Sequence, residues 1–526
     1  MNYSFQLLDE PWIPVSNIEN KRSADLSLLD LFEKANDLKE IVHSSPLVVS
    51  SLHRFLLAVI YSALDYPTET SWITLWKTGN FPIEKIKKYL NSHRKCFDLF
   101  DQETPFYQVA NYNSKKPSSP QRLIHELASG NNAVIYDHNY DSKAVLLSPA
   151  DGALYLIASQ GWAVGGGKTG DGYPNSTNGP LMSGGMVLVQ GATLFKTLLL
   201  NYVGKSAFNG WPEIDDQPAW EQKGVTPVSG KKSPKGYKDY LTWQTRTIKL
   251  HAEEINNKVV ISKVSYAQGR EYSPKAILFD PGFTYKQSKK KGWYSLKTNE
   301  SKACWRDSGS LLNLSVMDDS TKRPEVLQWL AQIAEDADLL NSERLALRVF
   351  GLCNDKAKIF LWRQDSLPLP ISLLNNKDRI ECIRMALQKA EEVGKILDEA
   401  LFQFTRSIKV PNSKSDTKFS VPVRKSLRSA TKSLQGTDRF WSSLDILFLK
   451  FANDIGSEKD DTLLKIHLED WVNKTVIHCA KKTYAQVTSA YDFNSSCLKA
   501  QINGEASLDD GLRGMTHPPT EAVHAK

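Results

Sequence analysis

The chain has 526 residues, of which 24% are charged and 41% hydrophobic, with 24 prolines and 29 glycines. This composition excludes collagen-like, low-complexity and disordered chains, and at roughly 150 residues per domain it predicts a globular protein of two to four domains. The net charge of +7, from 66 basic and 59 acidic residues, is compatible with a polyanionic partner but does not require one.

The six cysteines are scattered, and no two are spaced as C-x-x-C, so neither a zinc ribbon nor a redox motif is indicated. We therefore expect no metal, no cofactor and a reducing, cytoplasmic location. The N-terminus lacks the basic start and apolar core of a secretory signal. The most apolar stretches, Phe55 to Tyr61 and Met186 to Val203, are too short or interrupted to cross a bilayer, so we expect a soluble protein without membrane partners.

Residues 1–125 combine short strand signals with helical patterns at 46–64 and 82–100, which indicates mixed α/β structure. Residues 128–185 are rich in Gly, Asn, Asp, Ser and Pro, which predicts long surface loops. Residues 186–370 alternate β-rich runs with Lys/Gly/Pro connectors and predict irregular antiparallel sheets.

The last 150 residues change character after Pro368 and Pro370. Apolar residues recur at helical spacing in four segments: 380–404, 423–434, 440–451 and 464–487. We therefore expect the α+β class, with a large mixed α/β domain over residues 1–370 and a four-helix bundle over residues 371–503. The glycines and prolines after residue 503 predict a disordered tail over residues 504–526.

The sharpest local feature is a glycine-rich segment from Gly161 to Gly170. A phosphate-binding P-loop does not fit, because Gly161 stands one residue too early. The G-x-G-x-x-G pattern does not fit either, since Pro174 and Pro180 prevent the helix that must follow. What remains is a rim of bare backbone beside Lys168, suited to close approach of a bulky ligand such as a nucleic-acid groove. A flexible surface loop without a ligand is the alternative.

Lysines interleaved with aromatic residues form a second signal, in which Lys289, Lys290 and Lys291 stand between Tyr285 and Trp293. Such clusters attract phosphates without reading sequence, although a solvated charged face is the commoner explanation. Local catalytic motifs are missing: the sequence has neither H-E-x-x-H nor G-x-S-x-G. We therefore expect a protein that is not an enzyme.

Four motifs, taken in order along the chain, resemble CasA, the large subunit of Cascade, the type I-E CRISPR surveillance complex. They are Phe5-x-Leu7-Leu8-Asp9-Glu10-Pro11-Trp12-Ile13-Pro14-Val15, Gly165-Gly166-Gly167-Lys168, Tyr240-Leu241-Thr242-Trp243-Gln244 and Phe350-Gly351-x-x-Asn354-Asp355-x-Ala357-Lys358-Ile359. The resemblance spans the chain and includes the C-terminal bundle.

The resemblance implies a non-catalytic subunit of an RNA-guided complex. Such a subunit recognises the protospacer-adjacent motif of foreign double-stranded DNA from the minor groove, initiates unwinding and R-loop formation, and recruits the helicase-nuclease. It also implies partners, namely the crRNA-containing backbone, handle-binding and small subunits. A minor groove distinguishes A·T from G·C only coarsely, so tolerance of several motif sequences is expected.

The same resemblance implies roles for individual residues. The DNA-reading set comprises Gly165, Gly166, Gly167 and Lys168, a basic residue at Arg270 or Lys275, and Asn354 or Asp355. Lys356 corresponds to the wedge that opens the first base pairs. The loop that docks on the RNA handle and a neighbouring subunit contains Asn131, Asn132, Ile135 and Tyr136, and Lys289, Lys290 and Lys291 would contact the DNA backbone without reading sequence.

Two other functions remain open from the residues alone. One is a nucleic-acid-processing enzyme, a nuclease or nucleotide hydrolase, whose site assembles from separated carboxylates. The other is a nucleic-acid-binding scaffold unrelated to CRISPR, whose binding would fall uniformly with salt and ignore any short duplex motif.

Overall fold

The computed structural model describes residues 3–19, 23–127, 145–166, 173–212, 215–222, 231–273, 277–313, 319–336, 338–340, 343–355, 358–411, 419–491 and 494–516. The chain forms two compact units. The first comprises residues 1–304 and 310–374, and the second comprises residues 305–309 and 375–526. The proline boundary expected at residue 370 lies close to the division at residue 374.

The helices and strands are numbered in chain order. The helices are α1 (Leu28–Lys34), α2 (Pro46–Leu64), α3 (Glu69–Thr78), α4 (Ile83–Ser92), α5 (Pro149–Gly161), α6 (Leu194–Leu200), α7 (Tyr237–Leu241), α8 (Ser308–Leu311), α9 (Glu325–Asp336), α10 (Lys377–Lys409), α11 (Val421–Ser433), α12 (Gly436–Ser457), α13 (Leu464–Asp470), α14 (Ile477–Thr488) and α15 (Ser495–Thr516). The strands are β1 (Ile13–Asn17), β2 (Ser23–Leu26), β3 (Leu38–Ile41), β4 (Met186–Gln190), β5 (Lys231–Lys232), β6 (Arg246–Ile255), β7 (Lys258–Gln268), β8 (Glu271–Tyr272), β9 (Tyr285–Ser288), β10 (Gly292–Ser295), β11 (Thr321–Lys322), β12 (Leu345–Asp355) and β13 (Lys358–Leu369).

Helix α2 is the core helix of the first unit. Ser45 caps its N-terminus by accepting a hydrogen bond from the Val48 backbone N–H, and Pro46 occupies the first turn, where its missing N–H costs nothing. By length and composition the helix could cross a membrane, but 83% of its most apolar stretch is buried inside the protein. Helix α2 is therefore packed as a core helix.

The sheets of the first unit are small and mostly antiparallel. Three of the sheets have three strands each, in the orders β2-β1-β3, β10-β9-β11 and β13-β12-β4. Strands β6 and β7 form a two-stranded sheet. Register irregularities break the long ladders between Cys353 and Asn354 and between His251 and Ala252. The predicted irregular antiparallel sheets are therefore confirmed among the described strands, and the short parallel pair β5-β8 is an exception.

The second unit is helical, as the sequence predicts, and α15 adds a helix beyond the four predicted segments. The 33-residue helix α10 lies at its centre and packs against α11, α12, α14 and α15. A short segment of the earlier chain also belongs to this unit. The Trp305 ring stacks on Phe448 with centroids 4.4 Å apart, and its indole N–H donates to Asp445 Oδ1 at 2.6 Å. The mixed first unit and the helical second unit confirm the α+β class.

The predicted disorder after residue 503 is wrong for residues 504–516, which form most of α15. Ala500, Leu508 and Leu512 are buried, and a Cβ added at Gly504 would lie 2.8 Å from the Ala400 carbonyl oxygen of α10. A Cβ at Gly511 would lie 2.5 Å from Ile396. The glycines therefore permit close helix packing rather than breaking a helix. Residues 517–526 of the predicted tail lie outside the described residues.

Candidate nucleic-acid interface

The glycine loop, residues 162–179, begins where α5 ends. Trp162 anchors the start of the loop: its side chain is fully buried, and its indole N–H donates to Ser50 Oγ at 3.0 Å. A few residues later Gly166 adopts a φ of 112°, a backbone conformation that side-chain-bearing residues rarely adopt. Glycine is therefore required at residue 166 by the backbone itself.

The two sides of the glycine loop hold each other in place. The Gly165 N–H donates to Asn178 Oδ1 at 2.6 Å, and the Gly166 N–H donates to the Ser176 carbonyl oxygen at 2.9 Å. A Cβ at Gly165 would lie 2.9 Å from the same Asn178 oxygen, so a side chain would displace this contact. The turn at Gly165 and Gly166 is thus a fixed stretch of backbone with no side chain of its own.

A buried polar network fixes the base of the loop to the β6-β7 hairpin. Arg246 donates from Nη2 to the Val164 carbonyl at 2.8 Å and from Nη1 to Gln268 Oε1 at 3.1 Å. The same Gln268 oxygen accepts from the Thr177 N–H at 2.8 Å. Gln160 of α5 exchanges hydrogen bonds of 2.8 and 3.0 Å with the Arg246 backbone. Both ends of the loop are therefore held by one arginine and one glutamine.

The sequence alone does not reveal Arg246, Gln268 or Asn178 as residues that hold the glycine loop. No local motif marks them, because Arg246 and Gln268 hold groups 82 and 91 residues away in the chain, and Asn178 holds Gly165 across 13 residues. The nearest available signal is the position of Arg246 and Gln268 at the paired ends of two long β runs.

His125, near the base of the loop, has a lowered pKa. Desolvation lowers the pKa of the His125 imidazole, and although the Glu126 carboxylate opposes this shift, the positive charge of Arg246 lowers the pKa further. With His125 neutral, Arg246 carries the positive charge next to the Val164 carbonyl at the base of the loop.

Arg270 lies just beyond Gln268 and is already paired. Its guanidinium makes two hydrogen bonds to the carboxylate of Asp239, at 2.6 and 2.8 Å, and stacks 3.7 Å from the centre of the Trp243 ring. The Arg270 side chain is only 13% exposed and Asp239 is fully buried. In this conformation Arg270 fixes the region beside the loop, and reading a base would require it to leave this pair.

Asn354 and Asp355 occupy a different place, the end of the β12-β13 hairpin. They pair with Ile359 and Lys358, directly after the register irregularity at Cys353. Asp355 is exposed and Asn354 is partly buried. The hairpin therefore presents these two polar side chains beside its turn.

Lys289, Lys290 and Lys291 form the turn between β9 and β10, and all three are exposed. The Lys291 Nζ lies 5.8 Å from the centre of the Tyr294 ring. The β9-β10 turn therefore exposes three adjacent positive charges.

The remaining sequence-predicted residues lie outside the described residues: Gly167, Lys168, Lys275, Lys356, Asn131, Asn132, Ile135 and Tyr136. Among the described residues, no group of three or more His, Cys, Asp or Glu side chains could hold a metal ion. The described residues thus provide four features: the fixed turn at Gly165 and Gly166, the buried Arg270–Asp239 ion pair, the polar end of the β12-β13 hairpin and the lysine turn between β9 and β10.

The chain is similar to known proteins of one kind. A family model described as CRISPR-associated protein Cse1 matches residues 6–479. The CRISPR-associated protein CasA/Cse1 of Thermus thermophilus is 30% identical over 468 residues, which cover 86% of this chain and 88% of that protein. The crystal structure of a T. thermophilus CasA is similar with a TM-score of 0.80 and 26% identity, covering 97% of this chain and 100% of that chain. A chain described as CRISPR RNA-guided surveillance complex has a similar fold, with a TM-score of 0.75 at 20% identity, covering 96% of this chain and 99% of that chain.

Proposed function

This chain belongs to the Cse1/CasA family of large subunits of CRISPR surveillance complexes, and from that membership we propose that it recognises the protospacer-adjacent motif of foreign double-stranded DNA. Family membership agrees with the resemblance found in the sequence motifs. The proposed role is non-catalytic: the chain binds duplex DNA from the minor groove, starts its unwinding and R-loop formation, and recruits a helicase-nuclease.

The pinned turn at Gly165 and Gly166 is the observation that carries this proposal. Backbone carbonyls can accept hydrogen bonds from the edges of base pairs only if no side chain holds the two surfaces apart. The turn meets this condition, since Gly166 has a φ of 112° and the loop base is fixed by Arg246 and Gln268. A fixed turn also loses little conformational entropy when it binds.

The minor groove is the groove that fits a turn of this kind. It is about 6 Å wide, too narrow for a helix, and it presents a degenerate pattern of acceptors in which G·C differs from A·T mainly by one amine. A bare backbone turn therefore senses groove shape and that amine rather than a unique sequence. We infer a preference for a small set of related motifs.

The other parts of the proposal follow from the remaining elements. Asn354 or Asp355 would contact base edges, with Lys356 as the wedge between the first base pairs, and Lys289, Lys290 and Lys291 would bind phosphates. The crRNA-containing backbone, handle-binding and small subunits would be partners, with Asn131, Asn132, Ile135 and Tyr136 in the docking loop. All six cysteines are free thiols, which is compatible with the proposed cytoplasmic location.

Replacement of Gly166 by leucine tests the proposal in the reconstituted complex. The side chain would stand between the backbone and the groove, so we expect affinity for duplexes carrying a preferred motif to fall at least about tenfold, equivalent to ~1.4 kcal/mol. Binding to a library of duplexes with a randomised motif, with and without this subunit, gives the preference directly.

Gly210→Leu is the matched control for backbone strain. Gly210 also has a positive φ, 84°, and a Cβ there would meet nothing within 4 Å. We expect Gly210→Leu to keep the motif preference and both variants to assemble. Equal losses in both variants, or a wild-type complex whose affinity ignores the motif, would contradict the proposed function.

A further inference from the structure

A cavity of about 450 Å³ opens in the first unit next to the glycine loop. The aromatic side chains of Tyr107, Tyr112, Tyr173 and Trp220 and the amides of Gln222 and Gln244 line it, so we call it the aromatic-amide cavity. Tyr173 is itself part of the glycine loop. The volume falls within the roughly 300–1,000 Å³ typical of small-molecule sites.

The aromatic walls are rigid, and one of them is strained. The Tyr112 and Tyr173 rings meet edge to face with centroids 5.4 Å apart. Tyr107 has a φ of 53°, in the left-handed region that a bulky residue rarely adopts, and its ring is held against Phe55 and Trp220 at 6.3 Å from each. Such strain persists only where the surrounding structure holds it, and it concentrates at functional sites. Packing against neighbouring side chains therefore holds the cavity wall in a defined conformation.

The amide side chains supply hydrogen-bond acceptors. Gln244 is 7% exposed, and its Oε1 is buried without a hydrogen-bond partner among the described residues. Gln222 uses its Nε2 on Asp239 Oδ1 at 2.9 Å and on the Gln217 carbonyl at 2.7 Å, so it accepts through Oε1. A buried acceptor without a donor is unfavourable. The Gln244 oxygen is covered in this conformation, so a ligand N–H reaches it only when the Gln244 amide turns toward the cavity.

The charge of the lining selects against anionic ligands. Among the described residues, Glu103 is the one charged residue that lines the cavity, and its side chain is 76% exposed at the rim. No lysine or arginine of the described chain lines the cavity, so a phosphate or carboxylate would be left without a counter-charge. A neutral, planar ligand with N–H donors fits the aromatic faces and the amide acceptors.

We propose that the aromatic-amide cavity binds a single unstacked nucleobase. A nucleobase is planar and neutral, stacks on aromatic rings and carries amine or imide N–H donors. The inference rests on the proposed function, because a complex that carries crRNA and opens target DNA is what supplies an unstacked base. The base comes either from the opened target DNA or from the guide RNA, and the experiment distinguishes these two sources.

The test combines a cavity-filling variant with abasic sites. Ala110 lines the cavity and is partly buried, so Ala110→Phe fills the space without deleting a side-chain contact. Ala252→Phe, at a partly buried position of β6 outside the lining, is the matched control. Abasic sites are placed one at a time in either strand of the target beside the motif, and in a second series in the guide RNA. The dissociation constant of each reconstituted complex is measured.

We expect one abasic position to weaken binding by about tenfold in the wild-type complex, within the range of roughly five- to hundredfold for loss of one stacked base. In the Ala110→Phe complex we expect intact nucleic acid to bind about tenfold more weakly than in the wild type. An abasic site at the sensitive position then causes no further loss of affinity. The Ala252→Phe complex behaves as the wild type. The series that contains the sensitive position, DNA or RNA, identifies the source.

The proposal is overturned if no position is sensitive, or if the abasic penalty is unchanged in Ala110→Phe. Tyr173→Leu, which removes an aromatic wall without filling the cavity, provides a second variant if Ala110→Phe fails to fold, and the same non-additivity is expected for it. If the cavity proposal fails in this way but the wild-type complex still discriminates between motifs, the proposed function stands. Loss of motif discrimination in the wild-type complex would instead refute the proposed function.

Discussion

At the scale of single residues, the Arg270 ion pair shows how far a side chain's chemistry depends on its neighbours. The sequence marks Arg270 as a cation available for DNA, whereas the structure gives its two-pronged guanidinium to the buried Asp239 carboxylate and its face to Trp243. The planar guanidinium suits both contacts at once, and a lysine ammonium suits neither in the same way. Arg270 therefore has a structural role whatever its part in binding DNA.

We predict that Arg270→Lys destabilises the first unit. Lysine keeps the charge but loses one of two hydrogen bonds to a charged group and the stacking on Trp243, a cost of roughly 1.5–3 kcal/mol. Hydrogen exchange of the β7 and α7 backbone measures the local free energy of opening. Arg94→Lys is the control, since Arg94 makes a similar two-pronged pair with Asp9 on the surface, where such pairs contribute about 0–1 kcal/mol. Equal effects of the two substitutions would contradict a structural role for Arg270.

At the scale of elements, the core helix α2 carries a buried histidine whose charge opposes folding. His53 has a hydrogen bond of 2.7 Å between Nδ1 and the Val49 carbonyl, and its Nε2 is buried without a partner among the described residues. Desolvation lowers the pKa of His53 to about 3, and the positive charge of Arg348 adds to that shift. The folded chain therefore holds His53 neutral at a pH where the unfolded chain protonates it.

We predict an acid-dependent loss of stability through this residue. Because the folded-state pKa is lowered, the contribution of His53 is complete above the unfolded value of about 6.5 and is lost as the pH falls toward 3, at up to ~1.4 kcal/mol per pH unit. His53→Gln removes the titration, so the free energy of unfolding of the first unit should depend less steeply on pH between about 6 and 4. His478→Gln, in the second unit, is the control for a histidine-to-glutamine change that leaves the first unit unaltered. An unchanged slope in His53→Gln would show that another group dominates.

The C-terminal helix α15 depends on a glycine at a helix crossing. A Cβ at Gly504 would lie 2.2 Å from Tyr484 Oη and 2.8 Å from the Ala400 carbonyl, whereas a Cβ at Gly514 would meet nothing within 4 Å. We predict that Gly504→Ala destabilises the helical unit, since the backbone of α10 must move. Gly514→Ala should stabilise α15 slightly, because alanine is favoured over glycine in a helix by about 1 kcal/mol. Circular dichroism melting of both variants checks the two opposite signs.

These elements also show what the sequence could and could not predict. Long amphipathic helices such as α10 and α12 were predictable because their apolar spacing repeats over many turns. Helix α15 was not, because glycine between helices that pack closely looks the same in sequence as glycine in a disordered tail. The candidate site divides in the same way: the glycines at 165 and 166 were visible, but Arg246 and Gln268 hold the loop through contacts between segments far apart in the chain.

At the scale of the whole molecule, the proposed DNA binding divides into a contribution from charge and a contribution from shape. The net charge of +7 is modest, so affinity for a polyanion depends on where the lysines stand rather than on their number. The β9-β10 turn concentrates Lys289, Lys290 and Lys291, and its contacts to phosphates would carry no sequence information. The glycine loop, in contrast, offers shape without charge among its described residues.

Replacement of all three lysines by glutamine separates the two contributions. We predict weaker binding to every duplex by a similar factor, an unchanged motif preference, and a shallower dependence of log affinity on log salt, by up to about 0.9 for each phosphate that the turn no longer binds. A second triple variant, with glutamine at the exposed Lys77, Lys85 and Lys88, changes the net charge equally but acts on α3 and α4. If this control shifts the salt dependence as much, only the net charge matters and the turn is no phosphate site. If the first variant alters the motif preference, the lysine turn reads sequence as well as charge.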